Sequence, residues 1–161
     1  MWAAVVAERL GFKRDEALTL GKTLAGLNAQ AKGRRLGIFK PRAGEIGEAR
    51  RQKRGEEFFI EIMGRGISAK MTEEGIRAVA GDATVAPEAV ERYLKSKFGE
   101  RLGDVEEALR DLANAFSPDK LAAIAFDLYE EFRPHIPSGT RGWGAKGALD
   151  LVQIRSLARR P

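Results

Sequence analysis

The sequence contains no cysteine and a single histidine, His135, and both scarcities exclude kinds of chemistry. Without cysteine there is no disulfide, no thiolate metal ligand and no cysteine nucleophile. One histidine cannot build a multi-histidine metal site, and no serine nucleophile or carboxylate is spaced to make it a general base. We therefore expect no metal, no cofactor and no catalysis. Apolar runs are only a few residues long, which excludes a membrane span. The first residues lack the basic leader and apolar core of a signal peptide, so we expect a cytoplasmic protein.

The charge that is present is distributed unevenly along the chain. The 161 residues have a net charge of +5. Residues 1–55 hold 13 basic and 5 acidic side chains, residues 56–139 hold 10 and 17, and residues 140–161 hold 5 and 1. Basic ends beside an acidic middle indicate either an element that binds a polyanion or segments that attract each other.

The first part of the chain predicts two helices joined by a tight turn. Trp2, Val5 and Leu10 share one helical face, and Gly11 can end that helix. A second helix, residues 15–32, has apolar residues at helical spacing and is rich in glycine and alanine. Each glycine costs a helix about 1 kcal/mol relative to alanine, so we expect close packing against another backbone to compensate.

The turn between these helices also fits a helix-turn-helix unit. Ala7 and Gly11 supply the small residues that let two helices cross tightly. An ordinary αα-hairpin needs the same residues, so both interpretations stay open. If the second helix reads DNA, the residues it exposes are Thr19, Lys22, Thr23 and Gly26.

A run of nine basic residues lies between Lys32 and Arg54, in a connector that also contains several glycines and a proline. Such side chains neutralise phosphates and release counterions, and so provide affinity for nucleic acid of any sequence. The alternative is a strap that the acidic middle of the chain neutralises. The predicted nucleic-acid-binding residues are Lys13, Arg14, Lys22, Lys32, Arg34, Arg35, Lys40, Arg42, Arg50, Arg51, Lys53 and Arg54.

The rest of the chain predicts a β-hairpin followed by helices. Aromatic and β-branched residues favour strands over 57–63 and 67–71, joined by a turn at Gly64–Gly66. Helices are predicted over 72–80, 87–98, 104–116, 118–132 and 149–158. In helix 87–98 the predicted apolar stripe comprises Val90, Tyr93, Leu94 and Phe98.

The predicted fold is therefore mainly α with a small β-hairpin. Residues 1–55 form a basic helical hairpin with its connector, and the helix-turn-helix interpretation of this hairpin stays open. Residues 56–161 form the β-hairpin and a C-terminal helical bundle, and the two parts are expected to pack as one globular unit.

The loop before the last helix contains the pattern GxGxxG over residues 142–147. A dinucleotide site requires that pattern to follow a buried strand, and no strand is predicted here. Arg141 and Lys146, with the free amides ahead of the last helix, predict at most a weak anion site. Trp143, flanked by glycines, is expected to be buried.

Three segments carry a resemblance that covers most of the chain: MWAAVVAERLGFKRDEALTLGKTLAGLNAQAKGRRLGIF, VERYLKSKFGE and GWGAKGALDL. They resemble a family of small bacterial proteins of uncharacterised function. The resemblance implies an intracellular bacterial protein and transfers no catalytic residue.

The charge layout thus predicts a non-enzymatic nucleic-acid-binding protein, with DNA as the favoured ligand and the phosphate backbone as the point of contact. The alternative is a protein–protein interaction or oligomerisation module, in which helix 15–32 packs against a copy of itself.

Overall fold

A computed structural model describes residues 1–35, 57–134 and 149–160, with the side chains of the second helix described as far as Leu27. The helices are α1 (Trp2–Arg9), α2 (Arg14–Arg35), α3 (Pro87–Phe98), α4 (Leu102–Asn114), α5 (Pro118–Phe132) and α6 (Leu151–Ala158), with a 3-10 turn over Gly99–Arg101 between α3 and α4. The strands are β1 (Glu57–Ile62), β2 (Arg65–Thr72), β3 (Gly75–Ala80) and β4 (Ala83–Thr84).

The strands form one antiparallel sheet in the order β1-β2-β3-β4. The predicted fold, mainly α with a small hairpin and a helical bundle, is therefore wrong, because helices and a four-stranded sheet share the structure. The error lies in residues 72–80, which were predicted to be helical. The chain turns at Glu73 and Glu74, Gly75 follows with φ of +114°, and Thr72 Oγ1 donates to Gly75 O at 2.7 Å. The residues after this turn pair with β2, with Ala78 opposite Ala69.

The β1–β2 hairpin is confirmed, and its turn lies one residue earlier than predicted. Ile62 pairs with Arg65, which leaves Met63 and Gly64 as the two turn residues. Both have positive φ, 53° and 70°. Two-residue turns with this geometry match the twist of antiparallel strands.

The helices over residues 87–132 are confirmed, and their apolar stripes converge on one core. Leu109, Leu112 and Leu121 are fully buried, and Leu128 is nearly so. Local signals explain their starts, since proline occupies the first position of both α3 and α5. Ser117 Oγ also accepts a hydrogen bond from the Lys120 N–H at the start of α5.

Helices α1 and α2 cross at Gly21, which confirms the predicted close approach of backbones. A methyl group at Gly21 would lie 2.7 Å from Ala4 N and 2.9 Å from Ala4 Cβ. No side chain larger than hydrogen therefore fits at this position while α1 keeps its place.

Side chains of α2 complete one edge of the sheet. On the side of β3 away from β2, β4 pairs only with Val79 and Ala80. Before that point, the Ile76 N–H donates to Glu16 Oε1 at 3.0 Å and the Ala78 N–H donates to Thr19 Oγ1 at 3.1 Å. The second carboxylate oxygen of Glu16 accepts from the Lys13 N–H at 3.0 Å. Buried N–H groups that lack a strand partner are thus satisfied by a helix.

Candidate nucleic-acid interface

Helix α3 packs on the protein through one narrow side. Val90 and Leu94 are buried, and Phe98 is half-buried against the core. Pro87 begins the helix, and Gly99, with φ of +54°, ends it. Because only this side is apolar, the remaining circumference of α3 faces solvent.

The solvent side of α3 combines positive charge with an aromatic ring. Arg92, Lys95 and Lys97 are exposed, and Tyr93, which follows Arg92 in the sequence, is 55% exposed. Lys97 Nζ lies 5.9 Å from the centroid of the Tyr93 ring, within the range of a cation–π contact. We call these four residues the α3 face.

Tyr93 was predicted to join the buried stripe, and that assignment is wrong. Successive helix residues differ by about 100° around the axis, so Tyr93 lies well away from Leu94. Val90 and Leu94, four residues apart, are enough to fill the space beneath α3. The interleaved pattern of basic and aromatic residues in RYLKSK is the sequence signal that could have identified this surface.

Arg14, a predicted nucleic-acid ligand, is instead held by carboxylates of the same chain. Its guanidinium donates to Glu106 at 2.9 Å and lies 3.5 Å from Glu8 and 3.6 Å from Glu91. The hydrogen bond to Glu106 raises the pKa of Arg14, against the opposing effect of burial. Arg110 adds ion pairs to Glu8 and Glu106. These residues join α1, α2, α3 and α4, so Arg14 is already neutralised.

The other predicted ligands fall into two groups. Lys13 and Lys22 are exposed on the turn and on α2, and Lys32, Arg34 and Arg35 belong to α2. His135 and Trp143 lie outside the described residues. So do the remaining candidates, which are Lys40, Arg42, Arg50, Arg51, Lys53, Arg54, Arg141 and Lys146.

The N-terminal half of α2 is not placed to read DNA. A recognition helix contacts base edges with its N-terminal residues. In α2 the six residues from Glu16 to Gly21 are all buried, between α1, α3 and the sheet. Thr19, expected to be exposed on a reading helix, has no exposed surface and caps β3. Residues 16–21 of α2 therefore pack inside the protein, as in an ordinary αα-hairpin.

Gly21 is not available for packing of α2 against a second copy of the chain. Gly21, the small residue that would allow a second helix to approach closely, is occupied by Ala4 of the same chain. Ala25 and Gly26 are exposed one turn later.

An open cleft of about 390 Å³ lies between β3 and the start of α3. The buried Arg77 lines it, donating to Ile76 O at 3.0 Å and lying 3.6 Å from the Glu74 carboxylate. Glu73 and Glu88 line it as well, so three carboxylates face one guanidinium. This excess of negative charge disfavours a phosphate ligand.

Among the residues that the structure describes, no group of three or more acidic or histidine side chains is placed to hold a metal ion. In those same parts of the chain, no helix has the length and apolar character to cross a membrane. No protein-family model matches the chain, and no curated protein or solved structure resembles it significantly.

Proposed function

We propose that the protein binds nucleic acid through its phosphates, without catalysing a reaction, and that the α3 face is part of the interface. The observation that carries this proposal is the exposed Tyr93 ring, with Lys97 Nζ 5.9 Å from its centroid and Arg92 and Lys95 exposed on the same helix. Surfaces that bind nucleic acid without sequence preference combine cations for the backbone with aromatic rings for the bases.

The cations of the α3 face are available to a ligand, unlike that of Arg14. Glu88 and Glu91 lie four residues before Arg92 and Lys95, a spacing that allows ion pairs. The described residues include no such pair, and Glu91 lies 3.6 Å from Arg14 instead. The partial negative charge at the C-terminal end of α3 stabilises Lys95 and Lys97, which lie in its last turn. Lys13 and Lys22, and the basic residues between Lys32 and Arg54, add to the positive charge of the same chain.

The test is fluorescence anisotropy with labelled oligonucleotides between about 50 and 200 mM salt. Changing Arg92, Lys95 and Lys97 together to glutamine should weaken binding at low salt. Each phosphate contact contributes about 0.7–0.9 to the slope of log affinity against log salt, so the slope should fall by as much as about 2–3.

The control removes the same charge from another helix. Arg155, Arg159 and Arg160 are exposed on or just after α6, and their change to glutamine alters net charge equally. We expect this control to retain most of the slope. No binding at the lowest salt by the folded wild-type protein, or equal losses in both triple variants, would contradict the assignment of the α3 face.

A further inference from the structure

We infer that the α3 face prefers single-stranded nucleic acid and stacks an unpaired base on Tyr93. This inference rests on the proposed function and adds the form of the ligand. Positive charge alone serves duplex and single strand alike, so the distinguishing feature is the ring.

The ring has accessible apolar surface in the middle of a charged face. Tyr93 is more than half exposed, and its neighbours one turn before and one turn after it, Ala89 and Ser96, are small. Lys97, four residues after Tyr93, has its Nζ 5.9 Å from the ring centroid and lies over part of one face. A flat group can approach the ring where Lys97 does not cover it.

Only an unpaired nucleotide can use that surface fully. In a duplex each base is covered above and below by its neighbours, whereas single strands can splay a base onto an aromatic side chain. Every base has a flat face, so the contact requires no particular sequence.

The cations on either side of the ring fit the same ligand. Around the helix axis Tyr93 lies between Arg92 and Lys97, which are five residues apart, or about 7.5 Å along the axis. A nucleotide stacked on the ring would have its flanking phosphates within reach of these two side chains. By contrast, α2, the helix predicted to enter a duplex groove, has its N-terminal half buried.

The experiment compares a labelled oligo(dT) strand with a duplex of equal length, for wild type and two variants. Tyr93→Ser removes the ring, and Tyr93→Phe keeps it. Loss of a base–aromatic stack lowers affinity about 5-fold or more. We expect this loss for the single strand with Tyr93→Ser, little loss with Tyr93→Phe, and little change for the duplex. The salt slope should stay constant, because no charge changes.

Met71→Ser is the matched control, since Met71 is 63% exposed on the sheet and should not alter binding. Thermal unfolding followed by circular dichroism establishes that each variant folds. If wild type binds both ligands equally, or Tyr93→Ser affects neither or both to the same extent, the inference fails while phosphate binding stands. If wild type binds neither ligand, the proposed function fails with it.

Discussion

Glu16 should be among the most important polar side chains for the stability of this fold, because it joins α2 to the sheet. The residue is 9% exposed, and its carboxylate accepts two backbone N–H bonds, from Lys13 and from Ile76, each at 3.0 Å. Hydrogen bonds to a charged group contribute about 1.5–3 kcal/mol each. Glu16→Gln keeps one carbonyl oxygen and places an amide N–H₂ against the second donor. We expect a loss of about 2–4 kcal/mol in the free energy of unfolding at pH 7.

The loss should depend on pH with a definite sign. Burial alone would raise the pKa of Glu16, but the backbone hydrogen bonds from Ile76 and Lys13 and the charges of Lys13 and Arg77 outweigh it and lower the pKa. A carboxyl whose pKa is lower in the folded state contributes stability above its unfolded pKa of about 4.3 and loses that contribution as pH falls through the folded value. The wild-type advantage over Glu16→Gln should therefore shrink in acid.

Urea unfolding of wild type and variant at neutral and acidic pH measures both effects. Asp15→Asn is the matched control. Asp15 is the exposed neighbour in the same helical turn, and its substitution removes the same charge. An equal loss in both variants at pH 7, or a Glu16→Gln deficit that persists unchanged in acid, would refute the role assigned to the two hydrogen bonds.

Two further predictions concern helix packing and Arg14. Gly21→Ala should destabilise the protein by about 1–3 kcal/mol because its methyl group overlaps Ala4, whereas Gly26→Ala, with nothing within 4 Å, should stabilise it by up to about 1 kcal/mol. Thermal denaturation of the two variants measures the contrast, and a destabilising Gly26→Ala would count against it. Arg14→Gln should leave oligonucleotide affinity nearly unchanged and lower stability by no more than about 1 kcal/mol, since its side chain is 40% exposed. A large loss of affinity in that variant would show that Arg14 contacts the nucleic acid.

The elements that the sequence predicted correctly have local signals. Pro87 and the pair Ser117-Pro118 mark helix starts, and the periodic leucines of α4 and α5 show which sides are buried. Gly21 also indicated a close crossing, because a glycine inside a helix needs compensation. Such features depend on residues a few positions apart.

The elements that the sequence did not predict depend on distant partners. Strand β3 is six residues long, too short for its periodicity to distinguish strand from helix, and it is fixed by pairing with β2. Thr19 is polar and was expected at the surface, but its hydroxyl accepts a hydrogen bond from the Ala78 N–H, 59 residues away. Arg14 is neutralised by glutamates from three other helices, which no count of basic residues could reveal.

The capped edge of β3 also protects the protein from joining other copies of itself. An unpaired strand edge is a template on which another chain can add a strand, and repeated addition produces aggregates. With a carboxylate and a hydroxyl bound to its outward N–H groups, β3 offers no free donors at Ile76 and Ala78. A helix that loosened from the sheet would expose them. The two short side chains that hold α2 in place thus also keep this edge from nucleating intermolecular β-structure.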